Sequence, residues 1–173
     1  MIFTCIFAMA QSNTTDAGII INGIKWATRN VGEPGTFVDN PEDFGNYYTW
    51  DEAQNVCPSG WRLPTKEELR IFYYVFFKDT VINEVKGQML GEGKEIVVNG
   101  AIRRMFANNN NLIFLPAAGF FTVRKNNMYF REERGCYWGT DSYYYFTFGA
   151  IHGHIGDYES VREDSCSVRC VAE

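Results

Sequence analysis

Long apolar runs, clustered positive charge and recognisable catalytic motifs are all missing from this sequence of 173 residues. No stretch approaches the roughly 20 consecutive apolar residues of a membrane-spanning helix, so no transmembrane segment is expected. The 16 lysines and arginines are scattered among 21 acidic residues, and a net charge of −5 gives no electrostatic case for nucleic acid. Gly-x-Ser-x-Gly and His-Glu-x-x-His do not occur. Gly91-Glu92-Gly93-Lys94 fails the phosphate-loop spacing and lacks the following Ser or Thr. Acidic pairs such as Glu67/Glu68 and Glu132/Glu133 are adjacent in sequence, so they point apart and read as solvated surface. No enzyme class and no cofactor is therefore expected. No repeat with a period of roughly 20–50 residues is visible.

What is present suits one packed domain. Hydrophobic residues make up 46% and aromatics 16% of the chain, ample for a core. Residues 1–10 end in Ala8-Met9-Ala10 after a short apolar run, which reads as a truncated signal peptide without its positive n-region. Residues 11–18 read as a flexible leader and 19–173 as the domain. Secretion or a cell-surface or periplasmic location is the expectation.

Cysteine parity agrees with export. Cleavage after Ala10 removes Cys5 and leaves Cys57, Cys136, Cys166 and Cys170, an even set. If Cys166 to Cys170 is a strand, those two lie about 13 Å apart at roughly 3.3 Å per residue. A disulfide spans at most about 7 Å between Cα atoms. They should not pair with each other, and two connectivities survive.

Local pattern divides the domain. Ile19 to Val31 alternates around Asn22-Gly23, a hairpin signal, and carries Trp26. Gly32 to Gly45 is a loop. Thr49-Trp50-Asp51-Glu52 and Thr65-Lys66-Glu67-Glu68 are capping boxes. The first opens a short helix ending near Val56. The second opens a longer one, with Leu69, Phe72, Tyr73 and Phe76 on its core face. Strands follow: Glu95–Asn99 and Ala101–Met105 around Asn99-Gly100, then Leu112–Val123, Tyr137–Phe148 and Ser167–Val171. The class is α+β, with the two helices early and antiparallel strands after them.

Five blocks in order carry a family resemblance. They are Tyr48-Thr49-Trp50-Asp51-Glu52-Ala53, Cys57-Pro58-Ser59-Gly60-Trp61-Arg62-Leu63-Pro64-Thr65, Leu115-Pro116-Ala117-Ala118-Gly119, Tyr137-Trp138 and Ser167-Val168-Arg169-Cys170-Val171. With Trp26 before them, the chain from about Gly23 to Val171 resembles the Fibrobacter succinogenes major paralogous domain family. That resemblance implies a C-type lectin-like fold of two helices packed on twisted antiparallel sheets with the termini close together. It also implies a secreted or surface protein of Bacteroidetes-type bacteria. The nested pairing, Cys57–Cys170 and Cys136–Cys166, is preferred, and its order resembles that of C-type lectin domains. The calcium-dependent sugar signatures of those lectins are absent, and Trp138-Gly139-Thr140-Asp141 lacks the amide partner. Cys166 to Cys170 resembles only superficially the cysteine pair of the formylglycine-generating oxidase: the spacing is one residue shorter and the Gly-Gly-Ser block is missing.

The expected site lies between Tyr137 and Tyr158. In a strand Tyr143 and Tyr145 share one face, Tyr144 and Phe146 the other, and only one face can enter the core. Tyr and Trp supply large contact areas with few rotatable bonds. Trp138, Asp141, Tyr143, Tyr145, His152, His154 and Tyr158 are therefore the expected contacts for a glycan or protein ligand on a surface. His152-Gly153-His154 is at most half of a metal site, and no metal is expected. Two alternatives accompany the non-catalytic binding module. One is a structural subunit of a surface assembly. The other is a target of a diversity-generating retroelement, because every residue from Gly139 to Tyr158 can be encoded by a codon ending in C.

Overall fold

The computed structural model describes residues 14–77, 93–98, 101–108, 111–149, 153–157 and 164–173. The signal-peptide reading of residues 1–10 and the Asn99-Gly100 turn lie outside them. Residues 14–18 are not a loose leader. The Asp16 carboxylate, with no exposed side-chain surface, accepts from Gly18 N, Thr28 N, Thr28 Oγ1 and Arg29 Nε. Burial alone would raise its pKa, but these hydrogen bonds outweigh that and hold it below the usual value.

The Asn22-Gly23 signal forms the turn joining β1 (Ile19–Ile21) and β2 (Ile24–Trp26), with both turn residues at positive φ (49° and 83°). Helix α1 (Trp50–Ala53) opens on the expected capping box but stops before Val56. Strand β3 (Trp61–Arg62) leads into α2 (Lys66–Phe77), whose Leu69 and Phe72 are buried and whose Tyr73 is half-buried. The Phe76 side chain lies outside the described residues.

Glu68 departs from the reading of a solvated carboxylate. Its oxygens take both Arg62 Nη atoms at 2.7 Å and the Thr65 amide at 2.8 Å, closing the second capping box. The Arg62 hydrogen bonds hold its pKa below 4.5 against the effect of burial. A depressed carboxylate stabilises the fold above its unfolded pKa and loses that contribution as pH falls through the folded value. Glu68→Gln is therefore expected to cost about 1–2 kcal/mol at neutral pH, moderated by solvent around Arg62. Urea unfolding should show the difference from the parent closing as the pH drops below 4.5.

The remaining strands are β4 (Gly93–Val98), β5 (Ala101–Asn108), β6 (Asn111–Pro116), β7 (Phe120–Thr122), β8 (Asn127–Tyr129), β9 (Gly135–Trp138), β10 (Tyr144–Phe148), β11 (Gly153–Asp157), β12 (Asp164–Ser165) and β13 (Val171–Ala172). They form sheets ordered β1-β2-β13-β3, β4-β5-β6, β12-β7-β8 and β11-β10-β9, with antiparallel neighbours throughout. The class is α+β. The run expected as one strand over Tyr137–Phe148 is the hairpin β9–β10.

Residues 164–171 are all buried and only partly strand. Between β12 and β13 the chain is a seam with backbone partners on three sides: Ala27 N donates to Cys170 O, Tyr48 N to Cys166 O, and Ser167 N to Cys136 O. Both nested disulfides are present, Cys57–Cys170 with Cα atoms 6.1 Å apart and Cys136–Cys166 at 5.3 Å. Arg169 in this seam is 1% exposed and donates to Asn30 Oδ1, Ala27 O and Phe114 O. Burial pulls its pKa down to about 10, which leaves it charged at neutral pH.

Strand β9 separates two cores. Tyr137 joins Trp26, Leu69, Phe72, Phe146 and Phe148 on one side. Trp138 and Cys136 join Val31, Tyr48, Leu63, Val168 and Cys170 on the other.

Candidate functional site

Alternation along β10 sends Tyr144, Phe146 and Phe148 into the first core and leaves Tyr145 and Thr147 on the opposite face. That face is closed on the β9 side by the second core and open toward β11. The pairing register sets His154 opposite Thr147 and Gly156 opposite Tyr145. Gly156 leaves room for its neighbour: a Cβ there would stand 3.0 Å from His154 Nε2, so the exposed imidazole lies over the glycine. Half-buried Tyr145 sits between rings, 6.1 Å from Trp138 and 6.2 Å from His154.

The turn from Gly139 to Tyr143 is pinned to the starts of both helices. Trp50 Nε1 donates to Gly139 O at 3.0 Å, Thr140 N to Pro64 O at 2.9 Å, and Lys66 N to Asp141 Oδ2 at 2.7 Å. Asp141 thereby caps the first turn of α2 from 75 residues away, where a carboxylate is favoured by the helix dipole. Tyr143 adopts φ +51°, rare for a large side chain, and its ring lies 5.0 Å from Trp50. Lys66 Nζ stands 4.7 Å above Tyr144 on the core side of the strand. Tyr143 precedes β10, so the strand alternation expected to set it beside Tyr145 does not reach it. The outer face of the strands carries the pair Tyr145/His154, and the turn carries the pair Trp50/Tyr143.

The structure sorts the expected contact residues. Tyr143, Tyr145 and His154 lie on the accessible side. Trp138 is a correction: it has 0% exposure, and its indole N–H donates to Tyr48 O at 2.7 Å. A side chain with no exposed surface supports a ligand face from beneath and cannot touch the ligand. Asp141 is exposed but already spends a carboxylate oxygen on the α2 amide. His152 and Tyr158 lie outside the described residues. Trp50 and Thr147 join Tyr143, Tyr145 and His154 beyond the residues expected from sequence. Thr147 follows from strand alternation, whereas Trp50 opens α1 and reaches the turn only through tertiary packing.

Among the described residues no group of three His, Cys, Asp or Glu side chains is placed to hold a metal ion, and no helix is long and apolar enough to cross a membrane. Comparison of the chain with protein-family models, with curated proteins and with solved structures gives no match.

Proposed function

We propose that this chain is an exported, non-catalytic binding module with a C-type lectin-like architecture, akin to the major paralogous domain family it resembles. Its ligand is a glycan or protein met outside the cytosol. The observation that carries this reading is the aromatic face of β10 and β11, mounted on a scaffold held by two disulfides. Tyr145, His154, Tyr143 and Trp50 offer broad, stiff contact area beside the hydroxyl of Thr147, a composition suited to recognition. Disulfides of this kind persist in oxidising compartments. Cys166 and Cys170 are each bonded to a distant cysteine, so neither is the free thiolate that oxidase chemistry needs.

Retroelement-driven variation would be confined by the same geometry. Tyr144, Phe146 and Phe148 are buried, so among the described residues of this segment the turn and the outward positions of β10 are the ones open to change without loss of the core.

An array of oligosaccharides and extracellular proteins, probed with parent, Tyr145→Ala and Thr147→Arg proteins, tests the placement. Tyr145→Ala is expected to weaken binding of the ligand found by about 30-fold, the scale of a central aromatic contact. Thr147→Arg, which adds bulk on the same face without opening a core, is expected to do at least as much. A parent that binds nothing above background, or variants that keep parental affinity, would overturn the proposal.

A further inference from the structure

A second surface lies on the β7–β8 hairpin and the turn that follows it. The turn places Phe130 at φ +53° and Glu132 at φ +70°, without glycine at either position. Backbone contacts hold this shape: Glu133 N and Arg134 N both donate to Phe130 O, Glu132 N to Ala117 O, and Gly119 N to Arg134 O. Gly119, at φ +71°, admits the approach because any Cβ there would stand 2.3 Å from Tyr129 O. A constrained backbone that displays an aromatic side chain points from strain toward function. Phe130 is 37% exposed, and Ile20 is the other exposed large apolar residue among those described.

Cations surround these rings. The Arg134 guanidinium lies 4.0 Å above Phe130, Lys125 Nζ 5.6 Å from Tyr129, and the Arg131 guanidinium 4.7 Å above Phe44. All three side chains are exposed, and among the described residues none stands within salt-bridge distance of a carboxylate. Four cationic side chains and two anionic ones, Glu132 and Glu133, fall between Gly119 and Gly135, in a chain whose net charge is −5. An arginine stacked on a ring keeps its in-plane N–H fork directed outward, pre-set for a carboxylate.

We propose that this hairpin docks an acidic polysaccharide built of uronate sugars. Sugar C–H faces rest against the flank of Phe130 and Tyr129, and the uronate carboxylates pair with Arg131, Arg134 and Lys125. The rings of Phe120, Tyr129 and Phe130 stand 5.8–6.2 Å apart, already in mutual contact. They leave no slot to sandwich a planar base, whereas a puckered sugar needs only a flank. Two disulfides favour an oxidising compartment, where acidic glycans are among the polymers met. One carboxylate per sugar suits a surface on which Glu132 and Glu133 would repel a densely sulfated chain. This surface uses neither Tyr145 nor the β10–β11 face.

Affinity electrophoresis and biolayer interferometry of the full chain against polygalacturonate, chondroitin sulfate, neutral dextran and oligothymidine test it. The parent should be retarded by polygalacturonate most strongly, with retention falling as salt is raised. Arg131→Gln/Arg134→Gln should lose about tenfold or more in affinity, since exposed charge pairs act mainly through electrostatics. Phe130→Ala should weaken binding while Phe130→Tyr retains it, and Tyr145→Ala should leave it unchanged. Unfolding midpoints within error of the parent confirm that the Arg variants are folded. No retardation by polygalacturonate, equal retention by dextran, stronger binding of oligothymidine or of the sulfated glycan, or parental affinity in the double variant would each overturn the proposal. Loss of polygalacturonate binding in Tyr145→Ala would instead assign it to the β10–β11 face.

Discussion

Replacing Cys57 and Cys170 together by alanine is expected to lower the free energy of unfolding by about 4–5 kcal/mol. The bond between them spans 113 residues, and in the chain-entropy model its restriction of the unfolded chain grows with the logarithm of that span. Cys136–Cys166 spans 30 residues, for which the same model gives about 3.5 kcal/mol. Domains of this size hold about 5–15 kcal/mol in all, so either loss is a large fraction of the total. Alanine at both sites adds no polar group to the second core, and each double variant deletes two sulfur atoms, so the difference between the two variants reports loop closure above a shared packing loss. Urea unfolding of the two double variants decides the matter. A larger shift for Cys136→Ala/Cys166→Ala than for Cys57→Ala/Cys170→Ala would show that native packing, and not chain length, orders the two bonds.

Arg169→Met is expected to cost about 3–5 kcal/mol. Methionine fills comparable space but donates nothing, leaving Asn30 Oδ1, Ala27 O and Phe114 O without the guanidinium that now serves all three. Each stranded acceptor costs about 1–3 kcal/mol, and the relief of no longer burying a charge offsets part of the sum. Arg169→Lys should recover less than half of the loss, because a compact ammonium cannot reach three diverging acceptors as the planar fork does. The effect should extend to the backbone. Ala27 and Phe114 belong to segments 87 positions apart in the sequence, and amide exchange should rise in both when their shared donor is gone. A thermal or urea midpoint within about 1 kcal/mol of the parent would show that the apolar seam holds without it.

The features legible in the sequence were those set by near neighbours. Thr49 and Thr65 announce their helices because the capping box closes within four residues. Asn22-Gly23 announces a hairpin because glycine and asparagine accept positive φ. Cysteine parity, with the strand separation of Cys166 and Cys170, leaves two connectivities standing, and the structure holds the nested one. What stayed hidden depends on distant partners. Asp16 looks like an unstructured polar residue until Thr28 and Arg29 fold back onto it. Ser167–Val171 reads as a strand, although neighbours from three segments pack around it and bury both of its faces. Trp138 looks like a contact residue because nothing local distinguishes it from Tyr145, and only the second core decides that it is covered. Phe130 lacks the glycine that would signal its left-handed turn, which tertiary hydrogen bonds impose.

The seam has a consequence for how the protein is made. Residues 164–171 supply Cys166, Cys170, Arg169 and the approach to β13, so neither core can close on a nascent chain until they have emerged. Before that moment Cys57 and Cys136 are the available pair among the four, and an oxidant acting early would join them wrongly. Release of that non-native bond requires thiol–disulfide exchange by the late cysteines or by an isomerase. Maturation thus turns on timing: oxidation delayed until synthesis has passed Cys170 gives the nested bonds directly, and earlier oxidation makes the yield depend on shuffling.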